Sequence, residues 1–265
     1  MDFKDKVVWL TGGSSGIGEA LTYELLRHGA TVIASSEDYN GLVRVQNNCD
    51  ENSRPRCHIV LFDLTEMAAI APLVRDQVKQ FGRIDILINI SGISQRSQVK
   101  ETPMAVYRKI MEINYFGTIA FTKAVLPYMI AQGGGHILAT TSIAGKFGFP
   151  LRSAYSSSKH ALHGFFETLR IETMKENIRV TLLVPGRVQT NISLHALTKD
   201  GTRHGKMDAG LATGITAEKA ARQILRAIRK NRKEALIGGK ERIMVYLKKY
   251  LPAVFYKIAS KTDPT

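Results

Sequence analysis

Short runs of β-branched and aliphatic residues recur along the chain: KVVWLT (6–11), ATVIAS (30–35), CHIVLF (57–62), DILINI (85–90), GHILATTS (135–142), IRVTLLV (178–184) and a weaker EALIG (234–238). Most are apolar throughout rather than alternating, the pattern of a strand covered on both faces. Between them lie longer segments such as EALTYELLRHG (19–29) and EMAAIAPLVRDQVKQFG (66–82), whose apolar residues recur at three and four, the period of an amphipathic helix. Strand and helix in alternation predict a parallel sheet with helices on both faces. Right-handed crossovers make it a doubly wound α/β sheet of about seven strands.

No repeat, low-complexity tract or linker divides this pattern, so residues 1–239 read as one domain. Residues 186–215, GRVQTNISLHALTKDGTRHGKMDAGLATGI, form a connection too long for a plain link, and its length predicts a lid. Residues 240–265 form a basic extension in which Ile243, Leu247, Tyr250, Leu251, Val254, Phe255 and Ile258 make one apolar stripe at helical spacing. Pro252 should break that helix into two short pieces.

Composition changes the picture in four places. A chain of 265 residues with 44% apolar content can bury a full core. No run approaches the roughly 18 apolar residues of a spanning helix, and the entry into KVVWLTGG carries no signal-peptide pattern, which predicts a cytoplasmic setting. Cys49 and Cys57 have no partners at metal-ligand spacing and read as reduced thiols, with no metal site expected. The net charge of +14 is uneven: from Lys219 to Lys261, thirteen Lys and Arg oppose Glu234 and Glu241. That excess lies outside every motif, so charge alone does not argue for nucleic acid. Lys240, Arg242, Lys248, Lys249 and Lys257 flank the apolar stripe, which suits either peripheral contact of 240–261 with an anionic membrane or packing against protein.

Candidate chemistry begins at TGGSSGIG (11–18), which follows the first strand and opens a helix. Gly12 permits the tight turn, Gly16 lets the backbone approach a diphosphate, and Gly18 lets the helix pack on the strand. Helix amides and the positive end of the dipole then face the phosphates. Further on, SAYSSSKHALHGF sets Tyr155 and Lys159 four apart, on one helix face and one turn from each other. A free phenol has a pKa of about 10, too high to trade protons readily near neutrality, and a nearby ammonium favours the phenolate.

The pattern TGxxxGxG, followed by Asp63, by Asn89 at the end of the fourth strand, by Asn114 in EINYFG, Ser142 in TTSIAG, Tyr155 and Lys159 in YSSSK, then Pro185-Gly186 and Thr190, resembles the short-chain dehydrogenase/reductase family. The likeness runs from Lys6 to about Gly239. One departure is Asn89-Ile90-Ser91-Gly92 where the family usually has Asn-Asn-Ala-Gly. The resemblance implies a Rossmann-type fold and an NAD(P)-dependent oxidoreductase. It implies Tyr155 as the general acid or base, Ser142 as the group polarising a carbonyl, Lys159 as partner of the phenol and of the nicotinamide ribose, and Asn114 as holder of a relay water. For the cofactor it implies Gly12, Ser14, Ser15, Gly16, Ile17 and Gly18 at the glycine turn, Ser36 and Glu37 after the second strand, Asp63 and Leu64 at the adenine, and Asn89 and Gly92 after the fourth strand. Pro185, Gly186 and Thr190 would close over the nicotinamide, with Val188 on its ring.

The cofactor-selecting stretch ASSEDYN completes neither the NAD nor the NADP signature. A carboxylate at Glu37 would repel a 2′-phosphate and accept from a ribose hydroxyl, which favours NAD(H) over NADP(H) unless Arg44 swings in. Ile93, Ile143, Phe147, Phe149 and Leu151, with Ile192, Leu194, Leu197, Met207 and Leu211 from the lid, predict a mainly apolar pocket for a lipid-, steroid- or retinoid-like carbonyl compound. Within the family, NYFG, FPLRSAYSSSKHAL and the T-x-DG-x-R lid are similar to dehydrogenase/reductases of such substrates, and a homodimer or homotetramer is expected. Two function classes stay open, an active oxidoreductase and a non-catalytic dinucleotide-binding sensor or scaffold. An intact Asn114, Ser142, Tyr155 and Lys159 set favours the enzyme.

Overall fold

The computed structural model describes residues 2–261. Seven strands, β1 (Val7–Thr11), β2 (Thr31–Ser36), β3 (Cys57–Leu61), β4 (Ile86–Asn89), β5 (Gly135–Thr140), β6 (Ile178–Pro185) and β7 (Glu234–Ile237), form one sheet in the order β3-β2-β1-β4-β5-β6-β7. Every neighbouring pair is parallel. The helices α1 (Gly16–Arg27), α2 (Tyr39–Asn47), α3 (Met67–Phe81), α4 (Met104–Met111), α5 (Thr118–Ala131), α6 (Ser153–Glu172), α7 (Ala209–Ala212) and α8 (Ala217–Arg229) fill the connections.

The alternation of β1 shows why its run is apolar throughout. Val8 and Leu10 join a buried cluster with Leu21 and Leu25 of α1 and Ile224 and Ile228 of α8. Val7 and Trp9 point the other way, into a second cluster with Phe121 and Val125 of α5 and Leu162 and Phe166 of α6. Trp9 meets Phe121 edge to face at 4.9 Å, and Phe121 stacks on Phe62 at 5.6 Å. Fully burying such a side chain contributes about 1.5–3 kcal/mol, so a slab with two apolar faces is held firmly by both helix layers.

β1 lies between β2 and β4, so the connections leaving it and its neighbour run to opposite sides. The carboxyl ends part there and open a crevice, the general ligand position of such sheets. Residues 186–215 run beside this edge with one short helix, α7, and single bridges from Val188 to Ile215 and from Leu197 to Gln95 and Arg203.

The C-terminal stripe breaks at Pro252 into α9 (Ile243–Tyr250) and α10 (Pro252–Ala259). The break also divides the stripe. Phe255 is buried against Phe147 at 4.8 Å, beside Ala259 and the half-buried Leu247, whereas Ile243, Tyr250, Leu251, Val254 and Ile258 are exposed. The proline places Leu251 off helical geometry, so the two halves present different sides of one sequence pattern to the body.

Candidate active site

A cleft of about 2030 Å³ opens along the carboxyl edge of the sheet. Of the residues singled out in the sequence, Gly12, Ser14, Ser15, Gly16, Ile17, Ser36, Glu37, Asp63, Leu64, Gly92, Ser142, Tyr155, Lys159, Pro185, Gly186, Val188 and Thr190 line it. Gly18, Asn89 and Asn114 stand behind the wall. Gly18 packs on the Gly12 carbonyl. Asn89 is buried, with Nδ2 donating to Thr122 Oγ1 at 3.1 Å and to the Leu138 carbonyl at 3.2 Å.

At one end of the cleft, Gly16 takes φ +56° and turns the chain into α1, and Ser15 at the N-cap makes no side-chain bond to the first turn. The first amides of the helix are therefore free of a side-chain competitor for an anion. Beyond them lie Ser14 and Ser36, whose hydroxyls are 2.9 Å apart, and the carboxylates of Glu37 and Asp38. Arg44 does not swing into this space. Its guanidinium forks onto Glu19 at 2.6 and 2.8 Å and touches the Ser14 carbonyl at 2.9 Å. Asp63 accepts from both the amide and the hydroxyl of Thr65 at 2.8 Å, so it orders the turn before α3 and leaves the N-cap to Glu66.

At the other end, Lys159 is 3% exposed and its Nζ donates to the Thr140 carbonyl at 2.8 Å. Tyr155 lies one turn earlier on α6, with the ammonium 5.7 Å from its ring centroid. Ser142 lies two residues past β5: its Oγ accepts from the Ala144 amide at 3.1 Å and donates to the Pro185 carbonyl at 3.4 Å, close enough to Tyr155 to act on the phenol. Asn114 sits on a π-helical turn, Glu112–Gly117, that joins α4 to α5. Such turns insert one residue into a helix and re-aim its side chains. Here the turn lets Asn114 Oδ1 accept from the Ile93 amide at 2.8 Å while Nδ2 donates to the Ile93 carbonyl at 2.9 Å and to Ser158 Oγ at 3.0 Å. Gly92 faces the space between Asn114 and Lys159: a Cβ there would lie 3.1 Å from Asn114 Oδ1 and 3.2 Å from Lys159 Nζ. A side chain would fill that space.

The electrostatics differ from the simple expectation that Lys159 lowers the Tyr155 pKa. Burial pushes the Tyr155 phenol up, and the Ser142 hydrogen bond and the charges of Arg96 and Arg152 oppose that rise. Burial also pushes Lys159 down to about 8. The ammonium donates to the Thr140 carbonyl, and Arg96 and Arg152 add positive charge to the phenol's surroundings from elsewhere in the chain. Neither arginine stands out in the sequence, because each is a lone cation in a loop and their grouping depends on the fold.

Other contributors are equally non-local. Gln95 is fully buried; its Oε1 accepts from the Ala154 amide at 2.7 Å and its Nε2 reaches Thr102 Oγ1 at 2.9 Å. It thereby satisfies an amide in the first turn of α6, where the N-cap Arg152 makes no side-chain cap. Glu241 accepts from the amides of Arg187 and Gly239, both at 2.9 Å, tying the end of β6 to the start of the C-terminal segment. Of the expected apolar lining, Ile93, Ile143, Phe147, Phe149, Ile192, Leu197 and Leu211 face the cleft; Leu151, Leu194 and Met207 do not, and Ile243, Met244 and Ile258 add to it.

Residues 6–200 match the family described as short chain dehydrogenase. Dehydrogenase/reductase SDR family member 7B of Xenopus laevis is 40% identical over 260 residues, covering 96% of this chain and 80% of the relative. The Mus musculus protein of the same name is 38% identical over 259 residues, covering 96% of this chain and 80% of its own. Among solved structures, a short chain dehydrogenase from Burkholderia cenocepacia in complex with NADP superposes with a TM-score of 0.81 at 23% identity, covering 99% of this chain and 100% of that one. One from Burkholderia phymatum in complex with NAD gives 0.82 at 22% identity, covering 100% and 99%.

The burial of Lys159 has a measurable consequence. Its folded pKa of about 8 lies below the ordinary 10.5, so between these values the unfolded chain holds more protons and the parent gains stability as pH rises. Lys159→Met removes the buried charge. Its melting temperature should exceed the parent's at pH 7, and the excess should shrink as pH is raised through that window. Thermal melts across the range check this; an excess independent of pH would count against it.

Proposed function

The chain belongs to the short-chain dehydrogenase/reductase family of nicotinamide-dependent oxidoreductases, and from that premise we propose that it moves a hydride to or from the carbonyl or secondary alcohol of a hydrophobic substrate. The observation that carries the proposal is that Ser142, Tyr155 and Lys159 line one cleft, with Asn114 and Lys159 meeting at the gap left by Gly92. A nicotinamide dinucleotide bound in the cleft would supply or accept the hydride. The glycine turn and the uncapped first turn of α1 suit its diphosphate, and Ser36, Glu37, Asp63 and Leu64 suit its adenosine. Pro185, Gly186, Val188 and Thr190 line the opposite stretch and would hold the nicotinamide, with Lys159 and Tyr155 beside its ribose.

In this reading the Tyr155 hydroxyl gives its proton to the carbonyl oxygen during reduction and takes it back from the alcohol during oxidation. Ser142 donates to the same oxygen as negative charge develops there. Lys159 keeps a cation behind the phenol, and the Asn114 turn holds open the space beside its Nζ. Phe147, Phe149, Ile143 and Ile93 favour an apolar substrate body of lipid, steroid or retinoid kind. Residues 186–215 serve as its lid.

Replacing Tyr155 by Phe should lower turnover on the order of 10²-fold or more while leaving cofactor affinity nearly unchanged. Purified protein assayed on a panel of hydrophobic ketones with each cofactor tests this; turnover within a few-fold of the parent would refute the assignment.

For cofactor choice we favour NAD(H). Glu37 and Asp38 line the cleft, and Arg44, the nearby cation, is engaged by Glu19. NAD(H) should bind tighter than NADP(H) in a fluorescence titration, and Glu37→Arg should move the preference toward NADP(H). Tighter NADP(H) binding by the parent would mean that Arg44 leaves Glu19.

The same proposal extends to a homodimer or homotetramer in the cytoplasm with peripheral membrane contact through 240–261. Exposed Ile243, Tyr250, Leu251 and Val254 stand among Lys240, Arg242, Lys249 and Lys257, and Ile243 and Ile258 also reach the cleft. A membrane-bound mouth would admit an apolar substrate directly. Co-sedimentation with anionic vesicles at low salt should be strong and fall with salt. It should also be weakened in Tyr250→Ser/Leu251→Ser/Val254→Ser, substitutions that spare Glu241 and Phe255. Absence of binding to anionic vesicles would remove this part of the proposal.

A further inference from the structure

The helical turn that carries Tyr155 begins without an acceptor of its own. Position 152 is the N-cap of α6, where a serine, threonine, aspartate or asparagine would accept from the first turn, but it holds an arginine, whose side chain carries only donors. The acceptor comes from 59 positions away: Gln95 Oε1 takes the Ala154 amide at 2.7 Å, and Ala154 is the residue before the tyrosine. Just ahead of the helix, Leu151 holds a left-handed φ of +61°, a conformation that leucine rarely adopts, and its carbonyl accepts from the Ser97 amide at 3.2 Å. The entry into α6 is thus held from outside, by the segment that follows β4.

A cap within the helix needs one short polar side chain, whereas a fully buried carboxamide is costly unless its polar atoms are all bonded. The carboxamide of Gln95 is bonded throughout. Nε2 donates to Thr102 Oγ1 at 2.9 Å and lies 3.2 Å from the Ser97 carbonyl and hydroxyl and 3.3 Å from Ser153 Oγ. Ser153 is held in turn by the Tyr107 hydroxyl of α4 at 2.7 Å. The neighbours of Gln95 do something else. Ser94 and Arg96 line the cleft, and their backbones hold the lid: Leu197 donates to the Ser94 carbonyl and accepts from the Arg96 amide, both at 2.8 Å. One short segment therefore carries residues 186–215 on its backbone and the first turn of α6 on a buried side chain.

The body of α6 does not depend on this clamp. Leu162, Phe166 and Leu169 anchor it in the core beneath the sheet, whereas Ala154 of the first turn packs only in a small cluster with Val106, Ile110 and Leu197. Loss of the clamp would loosen the first turn and leave the remaining turns in place, and Tyr155 lies in the first turn. We propose that Gln95 is a positioning residue for Tyr155, holding the phenol in register with Ser142 by clamping the first turn of α6 to the segment that also holds residues 186–215.

This inference rests on the proposed role of Tyr155, and the test separates the two. Gln95→Met keeps a side chain of similar length and removes the acceptor. In oxidation of a hydrophobic secondary alcohol, kcat per folded protein should fall about 10-fold, while KM and the Kd for cofactor stay within about two-fold of the parent. The solvent deuterium isotope effect on kcat should rise, because proton transfer at a displaced phenol becomes slower than the other steps. Gln95→Glu keeps an acceptor for the Ala154 amide whether ionised or not, and should recover most of the loss. Equal losses in the two variants, or a fall in kcat with an unchanged isotope effect, would mark a merely structural role and overturn the inference.

Absence of turnover in every protein, the parent included, would speak against the proposed function and not against the clamp. The 13C resonance of the labelled Tyr155 Cζ, assigned by its disappearance in Tyr155→Phe, then decides on the full chain without substrate or cofactor. A resonance displaced or broadened in Gln95→Met and restored in Gln95→Glu supports the positioning role; the same resonance in all three proteins overturns it. Should Gln95→Met not fold, Thr102→Val removes the anchor of Nε2 and leaves Gln95 in place. It should give smaller changes in the same directions, and parent-like behaviour in it would overturn the inference.

Discussion

A lysine held inside the protein sets the terms for the rest of the cleft. Its charged form is disfavoured away from water, so Lys159 can stand at 3% exposure only where the chain leaves it an acceptor and some room. Three unrelated elements do this. The last residue of β5 turns the Thr140 carbonyl toward Nζ. Gly92, after β4, has no side chain to close the space, and the π-helical turn between α4 and α5 brings the Asn114 carboxamide to its far side. Each is an irregularity if taken singly. Together they make one buried cation tolerable next to a phenol whose own burial works against ionisation.

The sheet gives these elements a fixed frame. With both faces apolar and both covered, its strands cannot shift register without exposing a core layer, so the groups at its carboxyl edge keep their spacing. Residues 186–215 combine packing with polar ties. Val188 and Ile215 belong to the core layer that includes α1 and α8, and Leu197 packs with Val106, Ile110 and Ala154. The bonds of Leu197 with Ser94 and Arg96 at 2.8 Å and the Asp208 ion pairs add to these contacts.

The C-terminal helices belong partly to the cleft wall. Phe255 seats them on Phe147, and Glu241 joins their root to the backbone that follows β6. They are therefore coupled to the cleft mouth even though their outer faces are apolar and exposed.

Much of the fold was legible in the sequence because its signals are local. Continuous apolar runs identify doubly covered strands, TGGSSGIG marks a strand-to-helix turn, and the spacing of Tyr155 and Lys159 places both on one face of α6. Periodicity carried less for 243–258, where it marks an apolar stripe but not which side meets protein; the break at Pro252 divided it. The charges around the phenol were beyond any local signal. Asp208 lies 112 positions from Arg96 and 56 from Arg152, and their burial exists only once residues 186–215 fold back on the loop after β4. Sequence by itself determined the sheet, the glycine turn and the Tyr–Lys pair, because backbone geometry over a few residues dictates them. Tertiary structure alone decided which cations the phenol feels, because charge acts through space and its strength is set by the burial that distant segments create.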